Sequence, residues 1–146
     1  MRRFTYKGRY TPKNPNKYMG NSKNIIYRSL WERRFMTYCD NNESVLCWAS
    51  EELIIPYISP IDNKMHKYYP DFLIKVDRSG KTQTVVIEVK PQKETKAPKK
   101  RNKITPRYLY EMKTWSINAA KWKYAREFCE ERKWEFKILT EAEVGK

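Results

Sequence analysis

Two carboxylates and a lysine lie on either side of a predicted turn, in an arrangement that could support hydrolysis. Asp71 follows Pro70, and Glu88 precedes Lys90 by two positions. The intervening sequence at 77–81 is typical of a turn that joins two antiparallel strands. A two-residue or a four-residue loop gives the same register, which places Asp71 opposite Glu88 with Cβ atoms about 4.5–5.5 Å apart. Lys90 shares the face of Glu88 because side chains alternate along a strand.

Two facing carboxylates repel each other, so this pair costs stability unless a cation lies between them. Oxygen ligands of this kind suit Mg²⁺ or Mn²⁺, and such an ion polarises a phosphate and stabilises the departing oxygen. Lys90 could orient the attacking water or help to deprotonate it. The three residues therefore predict metal-dependent hydrolysis of phosphodiester bonds. The alternative is a salt-bridged patch on an ordinary sheet, in which Lys90 neutralises Asp71 and Glu88.

The two parts of this motif differ in how specific they are. Glu-x-Lys recurs elsewhere in the chain, for example at 111–113 and 135–137, and is weak evidence by itself. Pro-Asp occurs once, at Pro70-Asp71. Only the Glu88 copy of Glu-x-Lys lies late in an apolar strand that faces this aspartate.

The segment before the hairpin predicts one helix and two strands. Ser29 and Glu32 match a capping box at the start of a helix over 29–39, which Asn41-Asn42 would end. The buried side of this helix is expected to carry Leu30, Trp31, Phe35 and Tyr38. Strands are predicted over 45–49 and 53–58, and Pro56 places the second at an edge or a bend.

The hairpin strands are predicted over 68–76 and 84–90, and a long helix over 108–132 follows them. The apolar stripe of this helix consists of Met112, Trp115, Ala119, Trp122, Ala125 and Cys129. A half-buried strand is predicted over 134–140. The order α-β-β-β-α-β indicates an α/β fold with a mixed sheet and helices packed against it.

Composition narrows the class of protein. The chain has 146 residues, enough for one domain, and its 14% aromatic content argues against wholesale disorder. No apolar run approaches the ~18 residues of a membrane span, and the N-terminus has no apolar signal-peptide region, so no membrane association is expected. Three widely spaced cysteines and one histidine disfavour a disulfide scaffold or a zinc finger.

The net charge of +14 is concentrated in two segments and indicates a polyanionic partner. We expect a basic, extended arm over 1–24 without its own core, and a folded domain over 25–146 that contains a basic loop at 91–106. Candidate DNA contacts are Arg2, Arg3, Lys7, Arg9 and Lys13 in the arm, Lys93, Lys96, Lys99, Lys100, Arg101 and Lys103 around the loop, and Lys121 with Asn118 on the polar side of the long helix. The alternative is that these segments are solvated and only keep the protein soluble.

Pro70-Asp71, then Glu88-Val89-Lys90 on the next strand, with Glu32 on a preceding helix, resembles the PD-(D/E)xK nuclease superfamily. Segments 27–32, 66–72 and 118–129 are more similar to TnsA-type transposon endonucleases. The opening segments 6–10 and 12–15, together with the chain length, resemble the head-completion proteins of T-even-type tailed phages.

This resemblance implies a restriction-endonuclease-like fold, in which helices flank a mixed four-stranded sheet, and a DNA endonuclease that uses Mg²⁺ or Mn²⁺. By match of motif, Asp71 and Glu88 would be metal ligands, Lys90 the catalytic lysine, and Glu32 a further acidic ligand, directly or through water. It also implies action at the packaged DNA end during phage head completion, with capsid, portal or neck proteins as partners. The protein would then be found in the virion and, during assembly, in the host cytoplasm.

Three alternatives remain open at this point. In a capping box the carboxylate of Glu32 would turn back to the backbone N–H of Ser29 and would have no metal role. The whole chain could be a non-catalytic basic protein that caps the packaged DNA end. It could also be an RNA-bound or ribosome-bound protein, which would show stacking aromatic residues on an exposed sheet face.

Overall fold

In the computed structural model of the chain, residues 7–144 are described, without the side chain of Val144. Along the chain the elements are β1 (Gly8–Tyr10), β2 (Ile25–Tyr27), α1 (Leu30–Asn41), β3 (Val45–Ser50), β4 (Ile55–Ile58), β5 (Met65–Tyr68), β6 (Phe72–Arg78), β7 (Lys81–Val89), α2 (Pro106–Glu131), β8 (Glu135–Leu139) and α3 (Glu141–Val144). A short 3-10 helix (Pro15–Lys17) precedes β2, and a second (Gln92–Thr95) follows β7.

A four-stranded sheet in the order β3-β6-β7-β8 forms the centre of the molecule. The pairs β3–β6 and β6–β7 are antiparallel, whereas β8 runs parallel to β7. The parallel pair requires a crossover connection, and α2 provides it. The expected α/β fold with a mixed four-stranded sheet and flanking helices is confirmed.

The β6–β7 hairpin has the register that its sequence predicts. Ser79 and Gly80 form a two-residue loop with φ angles of 54° and 83°, the left-handed values that a tight hairpin turn requires. Phe72 is paired with Ile87, so Asp71 and Glu88 are the next two facing positions. The turn chemistry therefore determines which residues meet at the open end of the hairpin.

The prediction of one continuous strand over 68–76 is wrong. The segment is divided into β5, which ends at Tyr68, and β6, which begins at Phe72. Pro70 lies between them, and a proline cannot donate a ladder hydrogen bond in a central strand. β5 pairs only with β4 in a separate two-stranded sheet, so the expected edge position of Pro56 is confirmed.

Helix α1 covers one face of the central sheet through Phe35, Met36 and Cys39. These residues share a core cluster with Phe72, Ile74, Val85 and Ile87 of the sheet. The expected burial of Leu30 and Tyr38 is wrong, since they are 39% and 50% exposed. At about 100° per residue, Leu30 lies about 170° and Tyr38 about 110° from the centre of the buried stripe.

Helix α2 packs on the other side, where Trp122 and Ala125 contact a second core cluster with Ile55, Tyr57 and Tyr68. Trp115 packs against that cluster edge-to-face with Trp122, so the expected core role of both tryptophans is confirmed. Asn118 is buried, and its expected place on the polar side of the helix is wrong. It precedes Trp122 by one helical turn and therefore lies on the same stripe.

The described part of the arm, 7–24, packs on the domain. β1 pairs with β2, and Tyr18 is buried edge-to-face against Trp48 in the first core cluster. Asp40 accepts hydrogen bonds from the backbone N–H groups of Lys13 and Asn14. These contacts tie the segment to the end of α1.

Candidate active site

Asp71 and Glu88 lie together where β6 begins and β7 ends, at the open end of the hairpin. Asp71 Oδ2 accepts a hydrogen bond of 2.7 Å from the backbone N–H of Val89. Glu88 is 6% exposed. The two carboxylates therefore occupy the juxtaposition that the register predicts, on the face of the sheet that α2 covers.

Both carboxylates are held in an unfavourable environment. Burial raises the pKa of Asp71 well above its usual range, and the nearby charges of Glu88 and Glu32 raise it further. Burial also raises the pKa of Glu88, although a hydrogen bond from Tyr68 and the charges of Lys90 and Lys121 oppose that shift. Buried acids with raised pKa values in a cluster are typical of functional sites and costly in purely structural ones.

Two lysines flank the pair. Lys90 Nζ lies 3.7 Å from Glu88 Oε2, and the lysine side chain is 27% exposed. Lys121, a predicted DNA contact on α2, is half-buried instead, with its Nζ 5.6 Å from the ring centroid of Tyr68. Burial lowers the pKa of Lys121, whereas the charges of Glu88 and Asp71 raise it. The structure therefore brings Lys121 to the acid pair.

Glu32 reaches the same region from the first turn of α1. Ser29 Oγ accepts from the backbone N–H of Glu32 at 3.1 Å, as a capping box requires. The reciprocal bond differs from the expectation, because Glu32 Oε1 accepts from the N–H of Arg28 and not of Ser29. Burial raises the pKa of Glu32, and Lys90 is among the cations that lower it. Its carboxylate therefore accepts a capping hydrogen bond and also acts electrostatically on Asp71 and Glu88.

The donor set suits a hard divalent cation. One oxygen of each carboxylate accepts a hydrogen bond, from Val89 N, Tyr68 Oη or Arg28 N. Within residues 7–144 the second oxygens of Asp71 and Glu32 accept none, and that of Glu88 faces Lys90. No group of three acidic, histidine or cysteine side chains in this part of the chain already forms a complete metal site. The pair of Asp71 and Glu88 would therefore need further oxygens from water or substrate.

Comparisons with known proteins agree with this geometry. A family described as TnsA-like endonuclease N terminal matches residues 42–141. A head completion nuclease of Enterobacteria phage T4 is 42% identical over 142 residues, which cover 94% of this chain and 93% of that protein. The chain belongs to the TnsA-like endonuclease family. The expectation of an endonuclease related to phage head-completion proteins is confirmed.

In this TnsA-like endonuclease most of the predicted DNA-contact residues form an exposed set. Lys7, Arg9, Lys13, Lys93, Lys96, Lys99, Lys100, Arg101 and Lys103 are all exposed, and none of them forms an ion pair with a described residue. Arg2 and Arg3 lie outside the described residues. His66 pairs with Asp62 at 2.7 Å on the surface. The cysteines are free thiols.

The sequence did not identify Tyr68 as a contact of the acid pair in this endonuclease. In an unbroken strand Tyr68 and Asp71, three positions apart, would face opposite sides of the sheet. The break at Pro70 removes that constraint, and the Tyr68 hydroxyl donates a hydrogen bond to Glu88 Oε1. The available signal was the position of Tyr68 two residues before Pro70 of the Pro-Asp motif.

No helix within residues 7–144 of the endonuclease combines the length and the apolar character that a bilayer span requires.

Proposed function

We propose that the chain hydrolyses phosphodiester bonds of DNA with a divalent cation, Mg²⁺ or Mn²⁺, held by Asp71 and Glu88. The observation that carries the proposal is the acid pair of half-buried Asp71 and buried Glu88, which has raised pKa values and two lysines beside it. Repulsion within such a pair is relieved by a cation, and hard oxygen ligands favour these two ions. Membership of the endonuclease family supports the same chemistry.

Each side chain has a separate role in this proposal. Asp71 and Glu88 each have one oxygen hydrogen-bonded to the protein, and their other oxygens would hold the cation, with Glu32 as a further ligand directly or through water. The cation, when bound, supplies positive charge that polarises the phosphate and stabilises the leaving oxygen. Lys90 would orient the attacking water and, by stabilising the negative charge that develops, favour the loss of the water proton to solvent. Its 3.7 Å approach to Glu88 Oε2 places its ammonium group beside the acid pair.

DNA would be held by the exposed cations of the arm and of the loop at 91–106. Since Tyr18 belongs to the core, this binding is tested by substitution and not by truncation. Replacing Lys99, Lys100 and Arg101 by alanine should reduce the slope of log K against log salt by about 0.9 for each phosphate that is no longer neutralised. An unchanged slope in a filter-binding or anisotropy titration would refute the assignment of the loop.

The biological setting follows from the relative whose name includes head completion. We place the activity at the packaged DNA end during phage assembly, in contact with capsid, portal or neck proteins. The protein would then be found in the virion and, before that, in the host cytoplasm. These partners are tested by co-purification with assembling heads.

A plasmid-nicking assay tests the chemistry. The parent is incubated with Mg²⁺, with Mn²⁺ and with EDTA, beside Asp71→Asn and an Asp62→Asn control that alters an exposed acid. We expect cleavage with either ion, none in EDTA, none in Asp71→Asn and parental rates in the control. A matched RNA substrate should remain intact. Tight DNA binding without cleavage would instead support a protein that caps the DNA end.

A further inference from the structure

Tyr68 is a buried residue that links the second core cluster to Glu88 of the site. It ends β5, is 3% exposed and packs in the second core cluster with Tyr57 and Trp122. Its hydroxyl donates a hydrogen bond to Glu88 Oε1. The phenol therefore binds the oxygen of Glu88 that is directed away from Lys90.

The surroundings of Tyr68 determine the direction of this hydrogen bond. A carboxylate can only accept, and burial keeps the phenol protonated by raising its pKa. The indole N–H of Trp122 is buried and forms no regular hydrogen bond with a described residue. Its interaction with the Tyr68 hydroxyl lowers the pKa of that tyrosine, which burial raises. An indole is a donor only, so its approach leaves the phenolic proton for Glu88.

Lys121 places a cation near the ring of Tyr68. Lys121 Nζ lies 5.6 Å from the ring centroid of Tyr68 and 5.8 Å from that of Tyr57. A lysine over two aromatic faces favours a fixed ring orientation. The ring of Tyr68 thus packs with Trp122 in the core cluster and lies near Lys121, while its hydroxyl bonds Glu88.

We propose that Tyr68 is a positioning residue for the nuclease site: by holding Oε1 of Glu88, it directs Oε2 toward Lys90 and the divalent cation. This inference rests on the proposed function and deepens it. Partners that orient a metal-binding side chain change metal affinity or activity by about 10–100-fold when they are removed. The effect should therefore appear in cation binding and not in DNA binding.

Tyr57 provides a matched control. It is 5% exposed, packs in the same cluster and lies under the same lysine, but no hydrogen bond joins its hydroxyl to Glu88 in the described structure. Tyr68→Phe and Tyr57→Phe each remove one hydroxyl from a buried tyrosine and keep the ring. A difference between them therefore reports on the bond to Glu88 and not on packing.

The first measurement is Mn²⁺ binding by calorimetry to the full chain without DNA, in the parent and both variants. We expect affinity about 10-fold weaker in Tyr68→Phe and within about 2-fold of the parent in Tyr57→Phe. The Mg²⁺ concentration for half-maximal cleavage should rise by the same factor, whereas DNA affinity in EDTA stays unchanged. In a Glu88→Gln background, adding Tyr68→Phe should change Mn²⁺ affinity by less than about 2-fold.

A second measurement needs no change at Tyr68. The phenolic proton should give a downfield NMR signal in Tyr57→Phe, and saturating Mg²⁺ should shift it. A folded Tyr68→Phe variant with parental Mn²⁺ affinity would overturn the inference, as would a loss that persists in the Glu88→Gln background or a signal that Mg²⁺ leaves in place. If the parent neither binds Mn²⁺ nor cleaves DNA, the proposed function fails, and this inference fails with it.

Discussion

Asp40 and Asp71 are both acids at the boundary of a secondary structure element, and their environments are opposite. The Asp40 carboxylate accepts hydrogen bonds from Lys13 N at 2.7 Å, Asn14 N at 2.9 Å and Tyr10 Oη at 2.9 Å. Among residues 7–144, the Asp71 carboxylate accepts one hydrogen bond, from Val89 N. Two further acids, Glu88 and Glu32, lie near Asp71.

The pKa values of the two aspartates reflect this difference. Burial would raise the pKa of Asp40, but the hydrogen bonds from Lys13, Tyr10 and Asn14 outweigh it, and the pKa lies below its ordinary value. Burial and neighbouring acids raise the pKa of Asp71. A carboxylate with enough donors stabilises the fold, whereas Asp71, which has fewer donors and acidic neighbours, is a residue that we propose as a cation ligand.

The largest expected effect separates the two residues by activity. Asp71→Asn should lower the cleavage rate by at least about 1,000-fold, because a lost metal ligand removes several kcal/mol of transition-state stabilisation. Asp40→Asn should cleave within a few-fold of the parent at a temperature where both variants are folded by circular dichroism. Initial rates of plasmid nicking test this, and equal rates for Asp71→Asn and the parent would exclude Asp71 from the site.

The second effect concerns the contribution of Asp40 to stability, with the exposed Asp62 as the control. Asp40→Ala should lower the free energy of unfolding by about 3 kcal/mol, because three donors lose their acceptor. Asp62→Ala, which removes an exposed acid, should leave the free energy of unfolding close to that of the parent. Urea denaturation measures both values. An equal midpoint for the two variants would show that Asp40 does not anchor the arm.

The third effect is that a substitution at Asp71 should raise the free energy of unfolding, whereas one at Asp40 lowers it. In EDTA, Asp71→Asn should be more stable than the parent by about 1–2 kcal/mol, because it removes one of two acids that repel each other in a largely desolvated site. Millimolar Mg²⁺ should raise the melting temperature of the parent and leave that of Asp71→Asn unchanged, since only the parent keeps both ligands. A parent that is more stable than the variant in EDTA would contradict the repulsive pair.

The smallest effect is the pH dependence that Asp40 contributes. Its pKa is lower in the folded state, so its stabilisation is fully present above the unfolded value of about 3.9 and is lost as pH falls through the folded pKa. The stability gap between the parent and Asp40→Asn should therefore close below about pH 4. Urea midpoints at a series of pH values test this, and a gap that stays constant down to acid pH would contradict it.

The sequence predicts the hairpin and its acid pair well because both depend on local chemistry. Ser79-Gly80 selects a two-residue loop, and the alternation of side chains then determines that Asp71 meets Glu88. The long helix follows from the same kind of local periodicity. These features need no knowledge of distant contacts.

The missed features depend on contacts between distant segments. Asp40 bonds residues 26 and 27 positions earlier in the chain, and no local pattern identifies those partners. Tyr68 and Glu88 are 20 positions apart, and their contact depends on a strand break that periodicity alone does not reveal. The side of α1 that is buried likewise depends on where the sheet lies beneath it.

The hairpin turn has a practical consequence. Gly80 and Glu88 lie in the same strand region eight positions apart, which at about 3.4 Å per residue places the loop roughly 27 Å from the acid pair. Exposed tips of this kind tolerate inserted chain, and the entropy cost of a longer loop grows slowly with its length. The Ser79-Gly80 loop is therefore a suitable point to attach a fluorescent or affinity module for following the nuclease during head assembly.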